Sequence, residues 1–290
     1  NYWKRMEGSM MEKFEYTPEI IRKIQLTELS ILRELDRICQ KCKIPYIIDS
    51  GTLLGAVRHE GFIPWDDDID IKMLRRDYDK FCNICKDELG KKYFLQTYRT
   101  DKGYRWGYAR ILRKGTVFIR AGHQSLKSNT GIFIDVFPCD NMPEGKAALF
   151  LCNVLSLVCR KMLYSEVGAK SAPFFVKRLG FACLDLLPKE WAYYGLEKIA
   201  DYCGRKETGK VRCYAWGSKE ETVGQKREWF ENTCDICFEG LMVKAPAKKE
   251  EVLTYYYGKD YMTPPPEEER QPKHTAEYIK FVEEEGDVCG

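Results

Sequence analysis

The chain has 290 residues, 44% of them apolar and 31% charged, with a formal net charge of +3. That length allows one large domain or a catalytic core with a smaller appendage, and the near balance of acid and base removes any electrostatic argument for a nucleic-acid partner. No run reaches the roughly 20 consecutive apolar residues that a helix needs to cross a bilayer.

The opening residues 1–10 are polar and charged, without the apolar stretch of a secretory leader. A reduced, cytosolic setting is therefore expected, with the 13 cysteines as free thiols. Thr17, Pro18 and Glu19 supply an N-cap, a first-turn proline and an early acid. Ile20, Ile21, Ile24, Leu29, Leu32 and Leu35 then recur at helical spacing to about Cys42, and Pro45 ends the helix. Residues 46–49 read as a short strand, Gly51 as a break, and 52–59 as a short helix.

A strand is expected from Pro64 or Trp65 to Ile71 or Met73, then a helix over about 75–89. Further strands are predicted at 93–98, 105–112 and 116–119, with polar loop at 127–130. Residues 131–137 alternate strongly, and Pro138 is expected to end that strand. Residues 144–203 read as largely helical, broken at Pro173 and Pro188, and from about Val211 the chain is mixed and polar. The predicted architecture is α+β: a core over 17–142 with a mixed sheet flanked by helices, a helix-rich part over 143–275 completing the site, and tails at 1–16 and 276–290.

The most informative stretch is Asp66-Asp67-Asp68-Ile69-Asp70-Ile71. Strand alternation would put Asp66, Asp68 and Asp70 on one face and Asp67, Ile69 and Ile71 on the other, with the isoleucines giving the second face a reason to be buried. Carboxylates at that spacing repel unless a cation lies between them. Oxygen ligands with open water positions suit Mg²⁺ or Mn²⁺, and magnesium commonly completes its shell with substrate phosphates. An EF-hand is excluded, because its sixth position would be Ile71 rather than glycine and its twelfth Asp77 rather than glutamate. Upstream, Gly51 and Thr52 sit between strand and helix, where backbone N–H groups can cradle a phosphate. No P-loop or dinucleotide fingerprint occurs.

The block from Tyr46 to Arg58 (Tyr-Ile-Ile-Asp-Ser-Gly-Thr-Leu-Leu-Gly-Ala-Val-Arg), followed by Gly61-Phe62-Ile63-Pro64-Trp65 and the acids, resembles the LicD family of phosphotransferases, which includes the fukutin-related proteins. Gly131-Ile132-Phe133-Ile134-Asp135-Val136-Phe137-Pro138 is similar to a second block of that family, and the stretch from Tyr257 to Met262 with Pro264, Pro265 and His274 is similar to its C-terminal ending. The resemblance implies a nucleotidyltransferase-like core using a CDP-linked donor. The function it implies is metal-dependent transfer of a phospho-alcohol, phosphocholine first, to a hydroxyl of a cell-surface glycan or teichoic acid, with release of CMP.

On that reading Asp68 and Asp70 hold Mg²⁺ or Mn²⁺ on the donor, with Asp66 either a third ligand or a support behind the two. Asp135, flanked by Phe133 and Phe137, accepts the proton of the glycan hydroxyl; an acid in such a place needs a partner, and the alternative is a structural pair with Arg110. Arg58, Arg110 and Trp65 join Gly51 and Thr52 as the donor-binding set, since guanidinium groups match phosphate oxygens. Trp106 and Tyr108, with Tyr104, offer an aromatic cage for a quaternary ammonium, and His274 is a further contact candidate.

Three C-x-x-C pairs, Cys39/Cys42, Cys82/Cys85 and Cys234/Cys237, raise a structural zinc, but two lie in helical patterns where buried cysteine is ordinary. The apolar stretches 147–163 and 174–187, punctuated by Arg160, Lys161, Lys177 and Arg178, either cover the core or rest peripherally on the inner face of a membrane. The competing functions are a metal-dependent glycosyltransferase using a nucleotide sugar and a catalytically silent binding protein of the same fold.

Overall fold

The computed structural model describes residues 16–272 and 276–282. In chain order its first part holds α1 (Pro18–Cys42), β1 (Ile47–Ile48), α2 (Ser50–His59), β2 (Asp70–Leu74), α3 (Arg75–Glu88), β3 (Tyr93–Gln96), β4 (Ala109–Arg113), β5 (Val117–Arg120) and β6 (Phe133–Asn141). There follow α4 (Lys146–Leu163), α5 (Ser165–Ser171), α6 (Phe175–Asp185), α7 (Lys189–Cys203), β7 (Lys210–Arg212), α8 (Lys219–Val223) and β8 (Gln225–Lys226). The last elements are α9 (Glu228–Glu231), β9 (Thr233–Phe238), β10 (Leu241–Pro246), α10 (Lys249–Tyr257) and β11 (Ala276–Lys280).

The sheet is mixed, with strand order β1-β2-β6-β4-β3. Only β2 and β6 run parallel; β1–β2, β4–β6 and β3–β4 are antiparallel. β7 pairs with the far end of β6 and carries β8, while β9–β10 and β5–β11 form separate antiparallel ribbons. α1 and α3 pack on one face of the sheet, where Leu32, Leu35 and Phe81 meet Ile71, Ile111, Ile134 and Val136 in one buried cluster. The opposite face of β2 and β6 carries Asp70, Lys72, Asp135 and Phe137, the alternate residues, and these line a cleft.

Several boundaries depart from expectation for identifiable reasons. The strand expected from Pro64 begins at Asp70, after a turn at Pro64 and Trp65. The acidic approach to it is held by a side chain rather than by sheet pairing: the buried Gln25 of α1 donates from Nε2 to the carbonyls of Ile63 at 3.3 Å and Asp66 at 2.9 Å. Pro138 does not end β6. With the Asp135 N–H bonded to the Ile69 carbonyl on the β2 side, the nitrogen of Pro138 faces the other side, where pairing to β4 has already stopped at Ala109–Val136. A ladder position without a neighbour loses nothing to proline.

The segment 276–290, expected as a tail, contains β11, and the Ala276 N–H donates to the Tyr16 hydroxyl at 2.8 Å, joining both ends of the fold. Residues 144–203 are helical with breaks at Pro173 and Pro188, as the pattern indicated.

Gly55 sets how closely α2 approaches the segment ahead of the acids. A Cβ there would lie 2.4 Å from the Gly61 carbonyl oxygen and 3.2 Å from the Ile63 nitrogen, both backbone atoms that cannot rotate away. Gly55→Ala should therefore cost about 1–3 kcal/mol of stability. An unchanged urea-unfolding midpoint would show that the two segments separate freely.

Candidate active site

The cleft has a volume of about 320 Å³ and is bounded by Ser50, Asp68, Asp70, Lys72, Arg120, Asp135, Phe137, Cys213, Trp216, Ser218, Glu220, Glu221, Tyr256 and Tyr257. Its floor follows from sheet register. Asp70 is the parallel neighbour of Asp135, and Arg110 is the antiparallel neighbour of Asp135 on the other side. Gln96 lies opposite Arg110 in turn, so Gln96, Arg110, Asp135 and Asp70 form one polar row across four strands.

The centre of that row is an ion pair. Arg110 Nε donates to Asp135 Oδ1 at 2.6 Å, with both side chains about nine-tenths buried. Burial works against the Arg110 charge, but the Asp135 carboxylate outweighs it and lifts the guanidinium above its usual range. Four rings surround this cation, with centroids at 3.9 Å for Phe133, 5.2 Å for Trp106, 5.7 Å for Tyr104 and 5.8 Å for Tyr108. The aromatic cage anticipated for a quaternary ammonium thus encloses the protein's own guanidinium. Asp135 is in the partnered state weighed as the alternative to a free base, bound through one of its two oxygens.

A second charge cluster lies beside the row. Lys72 donates to Glu221 and, at 3.0 Å, to the Tyr256 hydroxyl, and forms an ion pair with Asp49 Oδ2 at 3.0 Å. The Tyr256 hydroxyl donates onward to Asp49 at 2.8 Å. Burial alone would depress the Lys72 ammonium; Asp49 and Glu221 outweigh it and hold the charge well above the ordinary lysine range. Glu221 also accepts the Cys213 N–H, which ties α8 to the core of the site.

Arg120, at the end of β5, is a different kind of cation. Its Nε and Nη2 atoms are buried without a hydrogen-bond partner, and its guanidinium lies 4.9 Å from the Phe133 ring centroid and on the cleft wall. Burial and the neighbouring Arg110 charge pull it below the usual guanidinium range, while Asp135 pulls the other way. A buried, under-compensated guanidinium on a cleft wall is set to receive an anion.

The sequence-based candidates divide accordingly. Asp68, Asp70 and Asp135 meet at the cleft. Asp66 does not line it: it is buried where the chain turns, its N–H bonded to Ile63 and its carbonyl held by Gln25, because strand alternation has not yet begun there. Thr52 is buried, and its hydroxyl accepts the Asp70 N–H at 2.9 Å, fixing the start of β2. Gly51 is buried beside it, and Ser50 is the residue of the α2 first turn that reaches the cleft.

Arg58 points away, donating to the Tyr261 carbonyl at 3.2 Å and to His59, and Trp65 lies under the Arg270 guanidinium at 5.3 Å. Both join the core to the C-terminal block instead of lining the cleft. Arg110 is the cation of the caged pair, Trp106 and Tyr108 are two of the rings around it, and His274 lies outside the described residues.

Among the described residues no three carboxylate, imidazole or thiol groups converge on one metal position, the C-x-x-C pairs included, and the described cysteines are free thiols. The described residues therefore form no closed protein cage for an ion. Two hard carboxylates, Asp68 and Asp70, facing a cleft open to substrate form a donor set compatible with magnesium, which takes one or two carboxylates and completes its shell with water and phosphate.

Reading the sequence missed Lys72, Arg120, Glu221, Tyr256 and Glu28. Continuing the Asp68-Asp70 alternation by one step reaches Lys72, and a capping box, Ser218 accepting the Glu221 N–H at 3.1 Å, marks Glu221. Glu28 occupies the apolar stripe of α1 and is fully enclosed. Nothing in the local pattern marks Arg120.

Residues 43–147 match the family model described as "LicD/FKTN/FKRP, nucleotidyltransferase domain". The Haemophilus influenzae protein named lipopolysaccharide cholinephosphotransferase LicD is 29% identical over 269 residues, spanning 89% of this chain and 97% of that relative. Both similarities support placing the chain with the LicD family. An uncharacterised Rickettsia prowazekii protein is 32% identical over 122 residues, 41% of each chain. The matched region runs from just before β1 to the start of α4, and so holds Asp68, Asp70, Arg110, Arg120 and Asp135. Glu221, Trp216, Tyr256 and Tyr257 come from beyond it.

The caged pair sets the first expectation here. Removing one member strands a buried charge, so Arg110→Met should destabilise by about 3–5 kcal/mol, and Arg110→Met with Asp135→Asn should recover part of the loss. A double-mutant cycle in urea tests this, and additive losses would deny the coupling.

Glu28 gives a second. Burial first, then the charges of Asp67 and Asp68, raise its carboxyl well above the ordinary value of 4.5. A raised folded-state value contributes stability at low pH that is lost as pH rises above the unfolded value. In metal-free buffer Glu28→Gln should flatten the decline in stability above about pH 4.5; parallel curves for the two proteins would contradict it.

Proposed function

We propose that this chain transfers a phosphocholine-type group from a CDP-activated donor to a glycan hydroxyl, with lipopolysaccharide or a related surface glycan as acceptor. The observation that carries the reading is the cleft itself. It brings the paired carboxylates of β2 and the preceding segment, a buried guanidinium and the α2 first turn into one cleft of about 320 Å³, in a chain whose relative is named a cholinephosphotransferase.

In this mechanism Arg120 binds the donor's pyrophosphate, and the backbone N–H groups at Ser50 and the first turn of α2 supply further donors. Asp68 and Asp70 are the residues that would hold Mg²⁺ or Mn²⁺, and the bound ion supplies neutralisation of pyrophosphate charge. Asp135, oriented by Arg110 through Oδ1, presents Oδ2 to the acceptor hydroxyl and takes its proton. The hydroxyl oxygen bonds to the phosphorus bearing the alcohol as the bond from that phosphorus to the CMP oxygen breaks, and CMP leaves.

Lys72 is saturated by Asp49, Glu221 and Tyr256, so it holds the α8 and α10 walls in place while Arg120 remains open to ligand. Trp216 and Tyr257, with Glu220 beside them, give the cleft an aromatic and acidic side suited to a quaternary ammonium, away from the filled Arg110 cage.

CMP release from CDP-choline, CDP-ribitol, CDP-glycerol and CDP-ethanolamine, beside UDP-sugars, with Mg²⁺ or Mn²⁺ and with lipopolysaccharide or teichoic acid acceptors, tests the reading. CDP-choline turnover lost in Asp70→Asn is expected, and Arg120→Met should lower kcat/KM by about 10- to 100-fold through loss of charge-assisted bonds. UDP release from a sugar nucleotide with every CDP donor silent would replace the reading with a glycosyltransferase.

A further inference from the structure

α6 is bound to the fold along a single line. Phe181 fits against Gly168 of α5, where a Cβ would come within 2.5 Å of its ring, and packs edge-on to Tyr164 at 5.7 Å. Arg178 donates to the Ala172 carbonyl at 2.6 Å. Yet α6 buries none of its residues: Phe175 and Val176 are each 78% exposed and Leu179 is 56% exposed. Such a surface on a fixed helix is costly in water, at about 25 cal/mol for each Å² of apolar area left exposed.

α4, which packs beside α6, repeats the pattern. Its buried residues, among them Cys152, Ser156 and Cys159, face α7, while Leu151, Val154 and Val158 on the other side are 43–65% exposed. Among the described residues no single helix is long and apolar enough to cross a membrane. The bent pair α4 and α5, with a 64° break, meets the length and composition of a span, but α4 spends one face on the protein core, which a spanning helix in lipid has no reason to do.

The charge around these helices points to what covers them. Between residues 146 and 187 six basic side chains stand against two acids, Glu166 and Asp185, whereas the whole chain carries only +3. Lys161, Lys170 and Lys177 are exposed, and Lys177 lies over the Phe174 ring at 5.2 Å, cation beside apolar surface. Exposed aromatic and aliphatic residues edged by lysine are the features of a helix lying in the headgroup region of an anionic bilayer. A second copy of this chain would meet the same positive charge on itself.

We propose that the outer faces of α4 and α6 form a monotopic membrane-docking surface, with an anionic lipid bilayer as its occupant. The surface is made by residues outside the cleft and does not depend on the donor proposed above, so donor turnover can fail while docking holds, and the reverse.

The test is flotation of the whole chain with vesicles of phosphatidylcholine alone and of phosphatidylcholine with phosphatidylglycerol. Strong binding to the anionic vesicles is expected, weakened by high salt and reduced about tenfold or more by Phe175→Asp with Leu179→Asp. Lys170→Glu with Lys177→Glu, which leaves the apolar faces intact, should remove the preference for anionic lipid. Circular dichroism of the variants confirms that helix content is kept. Failure to bind any vesicle would overturn the proposal, as would binding indifferent to lipid charge, or a concentration-dependent dimer abolished by the same aspartates.

Discussion

The arrangement of the site depends on one buried ion pair. Asp70 and Asp135 are in register on adjacent parallel strands, so backbone pairing itself forces two carboxylates side by side on one sheet face. Left alone, that pairing would be repulsive. Arg110, the next residue in the row, binds Asp135 at 2.6 Å inside a ring of aromatic faces, and this makes it tolerable for β2 and β6 to be neighbours. The same contact sets the orientation of Asp135 and fills the space enclosed by Phe133, Trp106, Tyr104 and Tyr108. The part of the cleft left open lies along the wall formed by Arg120, Trp216 and Tyr257.

Charge in this protein is sorted by whether it is already spent. Arg110 and Lys72 are buried and saturated by carboxylates, and each joins parts of the fold that are far apart in sequence. Through Lys72, the β2 strand reaches α8 by Glu221 and α10 by Tyr256, so the region beyond the family-model match is bound to the floor of the cleft. Arg120 alone of the three has buried nitrogens without protein acceptors. The contrast separates saturated cations from one whose buried nitrogens lack protein acceptors, and composition could not have supplied it.

The docking surface lies on helices that contribute no residue to the cleft wall. A soluble acceptor would not require it, while a glycan carried on a lipid would bring its acceptor hydroxyl close to a bilayer. Apolar exposure on α4 and α6 and ligand chemistry in the cleft are thus two faces of one chain with separable physical bases: area removed from water on the first, charge placement on the second.

Local sequence determined a great deal here. Thr17-Pro18-Glu19 and the apolar spacing after it dictate α1, and the prolines at 173 and 188 dictate the breaks between helices, because caps and missing N–H donors act within a turn of their own position. The alternation of Ile69 and Ile71 with Asp68 and Asp70 was enough to bring two acids to one cleft, although the regular strand begins only at Asp70. Three outcomes were decided only in three dimensions. Asp66 left the site because the strand starts at Asp70, a boundary set by Gln25 from α1 and by pairing to β6. Pro138 stayed within a strand because its neighbour happens to end there. Arg120 and Tyr256 entered the site from segments whose own sequence says nothing of it, and Glu221 from one whose capping box marks only the start of a helix. Long-range contacts assign such residues, and a buried charge reveals its role only when its partners, or the lack of them, are in view.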